Sequence, residues 1–561
     1  MKTFLYISLV GFLTFSFCSC SEWLDVQPKT EVKQDKMFES ESGFKDALIG
    51  CYMLMGESSL YGQELTYTFL EVLAQQYDFV NSFHPYQQAK LYSYSTSSVE
   101  TKINTIWSKT YRVIANLNAI LENLEYRKQV LHPTNYANIK AEALGLRAFL
   151  HFDLLRMFGW GDLKNTPSNL DKLCIPYVTK YSKEMTKQST VREVLQYIHT
   201  DLKEAEELLS YYDLYHQQAQ EDDYELPNDD HFYDNRRGRF NYYAARATQA
   251  RVYMWEGKYE EALERVSLFT GNKQPISWVN LDSDVINAEL TRRDLSFSVE
   301  HIFNLDIHNM YEPLKTYIEQ YKEEHGINVS DNTNYFFHSG TRAKALFEVT
   351  SGGNNDQRFA ALYDQVDNAH FLFLKFKEVP NSQSKAKNKM PLIRKPEMFH
   401  YAAECYNRLN EGKKAVEMLN AVRQARGLDA CNVDEVVRAA AALDDEVLLE
   451  RGGAHAGEIG DDVALGQRGH RDLLLGEYVR DALGIRRRVL FFIGFHRVRP
   501  DEQVVVHGVQ DAAALRVRFR HHVAALHGRD RMHERAGLAV EDAVRAAAGV
   551  DGEEAVPRHS G

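Results

Sequence analysis

Six cysteines in 561 residues are few, and their positions exclude two classes at once. Cys18 and Cys20 lie close to the N-terminus. Cys51, Cys174, Cys405 and Cys431 are scattered, with neither a disulfide framework nor a metal-ligand spacing. Buried free thiols are the expected state of these four. Long apolar runs are also missing: beyond the N-terminus none reaches the ~20 residues that span a bilayer. Positive charge is short, and a net charge of −13 argues against a nucleic-acid surface. No nucleophile motif, phosphate loop or zinc helix is present. Acidic residues are plentiful, but sequence spacing does not show the paired carboxylates a glycosidase needs.

What the chain does have begins at its N-terminus. Lys2 is followed by an uncharged apolar stretch, Phe4 to Phe17, of 14 residues. A charged start and a short apolar core read as an export signal and not as a membrane span. The run ends in cysteine, which suggests a bacterial lipoprotein signal. There a small residue precedes the cysteine that is acylated and becomes the new N-terminus. Ser19–Cys20 fits and Phe17–Cys18 does not, so Cys20 is the expected lipidation site and residues 1–19 the signal. Two or more acyl chains anchor a protein firmly. A plain secretion signal with two incidental cysteines is the other reading.

The body reads as helical. In Ala141–Gly159, Leu144, Ala148, Phe152 and Leu155 recur on one helical face, and Gly159 supplies a stop. Thr190 with Glu193 three residues on forms a capping box, ahead of a stripe of Val194, Ile198, Leu202 and Ala205. Two stretches starting at Ala244 and His400 resemble each other. Each carries Ala then Tyr three residues later (Ala250 and Tyr253; Ala403 and Tyr406), a turn near Gly257 or Gly412, and a second helix with Ala262 or Ala415. That is a tetratricopeptide type of unit, embedded in a larger fold because the copies are not tandem.

Between these helices lie loop-rich aromatic segments, 81–98, 211–239 and 271–356, with many turn formers. Exposed loops on a helical scaffold are where binding usually sits. A sugar presents a CH face to an aromatic ring and hydroxyls to amide or charged side chains. Phe83, Tyr86, Tyr92, Trp278, Tyr335 and Phe336 are the candidate rings, with Asn81 and Asn334 as polar partners. Packing of each ring against its own loop is the competing explanation. Trp107, Trp160 and Trp255 belong to helical blocks and are assigned to the core or its edge.

Taken in order, several blocks resemble the SusD/RagB family of outer-membrane nutrient-binding lipoproteins: Cys20 with "EWLDVQP", "GFKDALIGCYMLM", "IWSKTYRVIANLNAIL", "AEALGLRAFLHFDLLRMFG" with "IPYVT", "TVREVLQYIHTDLKEAEELL", "GRFNYYAARATQARVYMWEGKYEEAL" and "LIRKPEMFHYAAECYNRLNEGKKAVEMLNAVRQARGL". The resemblance covers about residues 18 to 428. It implies a mostly α fold with four tetratricopeptide-like units and a loop-rich second half, divided here as 20–230 and 231–430. It also implies a surface lipoprotein, lipid-anchored in the outer membrane, that binds oligosaccharides, or peptides in some members. Such a protein hands its cargo to a SusC-like TonB-dependent transporter, is not an enzyme and needs no cofactor or metal. A peptide- or protein-binding tetratricopeptide-type surface scaffold is the alternative.

Residues 431–561 change character. Lys and Thr are absent from Ala415 onward, and residues 433–561 hold 18 Arg, 9 His, no Asn and no Trp. No normal domain boundary removes Lys, Thr and Asn together. The tail reads as translated from a wrong frame or strand, or as a joining error. Its histidines and Arg486–Arg488 follow from that biased composition better than from a metal or phosphate site.

Overall fold

The computed structural model describes residues 34–78, 83–213, 215, 227–318, 336–347, 349, 356–365, 370–379 and 381–432. Cys20, Asn81, Asn334, Tyr335 and residues 433–561 therefore lie outside the described residues. Among the described residues nine main helices carry the fold: α1 Glu41–Met55, α2 Ser97–Tyr126, α3 Pro133–Phe158, α4 Val191–Tyr212, α5 Tyr242–Glu256, α6 Tyr259–Thr270, α7 Tyr311–Ile318, α8 Lys395–Arg408 and α9 Gly412–Gln424. From α1 to α6 each helix packs on the next, and α6 then packs on α8, and α8 on α9. The two similar helix pairs, far apart in sequence, thus stand side by side.

Local chemistry explains the helix ends. Thr190 caps α4 and Glu193 closes the reciprocal capping box. Val194, Ile198, Leu202 and Ala205, the stripe read from the sequence, are all fully buried. Helix α3 carries the stripe Leu144, Ala148, Phe152 and Leu155, but most of its other residues are buried too. A helix buried on nearly every side lies in the middle of the fold, and its buried charges, Glu142 and Arg147 among them, are held in ion pairs. Gly145 sits at its closest approach to a neighbour: a Cβ there would lie 2.0 Å from the Phe240 ring. Between α5 and α6, Gly257 takes a left-handed φ of 73°. The turn expected near Gly412 falls just before it: Asn410 (φ 62°) takes the left-handed conformation, and Gly412 is the first residue of α9. Asn tolerates the left-handed region because its short side chain bonds locally.

Among the described residues the strands are few. β1 His301–Asp306 pairs antiparallel with β5 Lys389–Arg394, His301 facing Arg394 and Asp306 facing Lys389. A second small sheet has the order β2 His338–Ser339, β4 His370–Phe373, β3 Tyr363–Gln365. Cys51, Cys174 and Cys405 are buried free thiols, and burial pushes each up to about 12. Among the described residues no helix is long and apolar enough to cross a membrane.

Candidate functional site

The aromatic loop after the short helix Phe69–Leu73 is braced from inside. Gln75 Nε2 donates to the Lys90 carbonyl (2.8 Å), Lys90 Nζ to the Tyr77 carbonyl (3.0 Å), and the Tyr92 hydroxyl to the Leu73 carbonyl (2.9 Å). Gln75 and Tyr92 both have left-handed φ, a conformation that a bulky Tyr adopts only where its surroundings hold it.

A segment from the second half of the chain docks onto this loop. Asp78 N donates to the Phe337 carbonyl (2.8 Å), and His338 Nε2 lies 2.6 Å from the Gln76 carbonyl. The Asp78 carboxylate accepts from the Ser339 amide (2.8 Å) and from Arg342 Nη1 (3.2 Å). Arg342 also bonds the Gln75 carbonyl. Partial burial works against the Asp78 charge, but the Ser339 amide and Arg342 outweigh it and hold the carboxyl below its ordinary range.

Under the loop lies an aromatic stack. Tyr77 and Phe336 face each other at 4.4 Å and 13°. Tyr317, on α7, stacks on Phe336 at 5.4 Å, and Tyr86 meets Tyr317 edge-on at 5.6 Å. The Tyr86 hydroxyl bonds Glu64 (3.0 Å), Lys102 Nζ sits 4.5 Å over the Tyr86 ring, and Lys102 pairs with Glu64 at 2.5 Å. Burial, with the Glu64 charge adding, holds the Tyr86 phenol far above its ordinary range. His84 is buried, 5.0 Å from Phe336. Its neighbour Phe83 is 83% exposed.

The candidate rings therefore part company. Tyr86 and Phe336 are each only 1% exposed, so the expectation of open platforms is corrected for both: they form the base of the loop. Tyr92 is half-buried and tied by its hydroxyl. Trp278 is engaged elsewhere, 5.0 Å from Phe399 of α8, with Lys395 Nζ 4.4 Å and the Arg426 guanidinium 5.3 Å from its ring. These cations claim its π-face, which corrects its assignment as an open platform. Phe83 alone of the described candidates projects into solvent. Tyr77, Asp78, Tyr317 and Arg342 were missed in the sequence. Only Tyr77–Asp78, bordering the loop, carried a local signal. No group of three or more His, Cys, Asp or Glu suited to a metal stands among the described residues.

Comparisons with known proteins agree on one family. Residues 22–221 match a SusD-like family model described as starch-binding and associating with the outer membrane. Residues 309–458 match the SusD family model. The second match runs beyond Leu428, so the likeness continues past the point where the sequence blocks ended. A SusD-like protein of Formosa agariphila is 24% identical over 300 residues, 53% of this chain and 50% of that protein. The chain thus spans half the length of that curated relative. A SusD superfamily structure from Bacteroides vulgatus aligns with a TM-score of 0.52 at 18% identity, over 81% of this chain and 89% of that one. A SusD-like carbohydrate binding protein from the same organism aligns at 0.50 and 19%, over 70% and 76%. These structures share the fold.

Proposed function

The chain belongs to the SusD/RagB family, and on that premise we propose that it captures oligosaccharides at the cell surface and passes them, chemically unchanged, to a SusC-like TonB-dependent transporter. The observation that carries this reading is Phe83. It is an exposed ring, held out by a loop whose base is fixed by the Tyr77–Phe336 stack and the Asp78–Arg342 pair. A preformed platform loses little entropy on binding. One exposed ring gives modest affinity, suited to a protein that must release its cargo.

Phe83→Ala should weaken oligosaccharide binding by about 1–3 kcal/mol. Thermal stability should hardly change, because truncating an exposed side chain costs little. Calorimetric titration and a melting curve on the same variant check both parts. Equal loss of stability and binding would make Phe83 a packing residue, and shortening of the sugar would overturn the non-catalytic reading.

The anchor is part of the proposal. Metabolic labelling with a fatty-acid analogue should mark the wild type and Cys18→Ala, and should fail on Cys20→Ala. Labelling that survives Cys20→Ala but vanishes in Cys18→Ala moves the anchor to Cys18.

A further inference from the structure

An open groove of about 610 Å³ lies between the loop at 56–62 and the turn at 307–313 that leads into α7. Its size falls in the ~300–1,000 Å³ range of ligand sites. Its walls mix two kinds of surface. Ser58 and Asn309 offer a hydroxyl and an amide, while Ile307 and Pro313 offer aliphatic faces. The acidic side chains there are already neutralised: Glu57 pairs with Lys109 at 3.0 Å and Glu312 with Lys315 at 2.6 Å. The groove's two carboxylates therefore leave no uncompensated negative charge to select a cation. Hydroxyl and amide groups that both donate and accept, beside aliphatic walls, suit a neutral polyhydroxylated ligand.

Through the protein interior, the groove is joined to the base of the aromatic loop. Tyr311 and Pro313 open α7, and Tyr317 near its other end stacks on Phe336. Tyr317 is six helical steps from Tyr311, about 9 Å at 1.5 Å per step. On the opposite wall, the loop that borders the groove runs straight into Gln63 and Glu64, both bonded to the Tyr86 hydroxyl. We propose that this groove is a second saccharide subsite, which takes the sugar units of a long chain beyond those held at Phe83. The inference rests on the glycan-binding reading above. Long chains then bind better than short ones because the second contact is made intramolecularly.

Two mild variants test it. Asn309 has a left-handed φ of 54°, so Asn309→Gly removes the amide and keeps a backbone that Gly adopts freely. Ser58→Ala removes an exposed hydroxyl. Both, and their double variant, are titrated calorimetrically beside Phe83→Ala. The probes are short and long malto-, cello-, xylo- and mannooligosaccharides, with melting curves as a folding control. Wild type should prefer the long form of the chain it binds. Each groove variant should lose roughly two- to tenfold on that long form and nothing on the short one, as expected for a lost hydrogen bond. Phe83→Ala should lose on both. Groove variants that bind the long chain like wild type, while Phe83→Ala is impaired, overturn the subsite and leave the glycan-binding reading standing. Wild type that binds none of the probes overturns both.

Discussion

Glu142→Ala should be among the most damaging single substitutions in this protein, costing about 3–5 kcal/mol of stability, the usual penalty for removing one partner of a buried ion pair. Glu142 lies in α3 with no exposed surface. One of its oxygens receives Arg236 and Arg239 (2.8 Å), and the other receives Arg239 (3.1 Å) and the Tyr52 hydroxyl. Arg236 bonds Asp213 as well (3.0 Å), and Asp213 accepts from the Tyr242 amide at the start of α5 (2.8 Å). The carboxylate thereby joins α1, α3 and the turn before α5. Burial opposes the charge on Arg236, but Asp213 and Glu142 more than offset it and raise its pKa. With Glu142 removed, Arg239 has no carboxylate and Arg236 keeps only one. Denaturant unfolding of Glu142→Ala against wild type measures the effect. A loss below about 1 kcal/mol would match a solvent-exposed pair and contradict the buried network.

Arg426→Ala should cost a similar amount, again about 3–5 kcal/mol. Its fork meets Glu300 with Nη1–Oε1 at 2.7 Å and Nη2–Oε2 at 2.6 Å, and both side chains are almost wholly buried. Glu300 immediately precedes β1, and its Oε1 also accepts the Val279 amide. Lys395, a further cation that interacts with Glu300 through space, donates to the Ile276 carbonyl (2.6 Å) and covers Trp278. Burial first, and then Arg426, push Lys395 down to about 8, while Glu300 pulls the other way. Without Arg426, Glu300 must take a proton or turn to Lys395. Arg426→Lys should recover only part of the loss, because an ammonium cannot make the two-point contact. Unfolding midpoints, with Trp278 as a fluorescent reporter 5.3 Å from the lost guanidinium, read the change. Arg426→Ala at wild-type stability would show that α9 is not fastened through this pair.

The sequence disclosed the helical scaffold because helices advertise themselves locally. The stripe of Val194, Ile198, Leu202 and Ala205 and the cap at Thr190 need only a few neighbouring residues to be read. The two paired-helix units were legible for the same reason. Loops carry no such period, and the candidate rings show the consequence. Phe83, Tyr86 and Phe336 look alike in sequence, each a ring among polar residues. One is open and two are buried, because the difference lies in contacts between distant parts of the chain.

By itself the sequence determined the fold class, the cap of α4 at Thr190, the end of α3 at Gly159, the paired-helix units, the free state of the buried cysteines and the family resemblance. All of these depend on residue type and short-range spacing. The tertiary structure decided which aromatic faces are available. It stacked Phe336 on Tyr77, laid Lys395 and Arg426 against Trp278 and left Phe83 in solvent. It also decided that a groove stands between Ser58 and Asn309. Exposure and cavities arise from the packing of elements far apart in the chain, and no local pattern of residues encodes that.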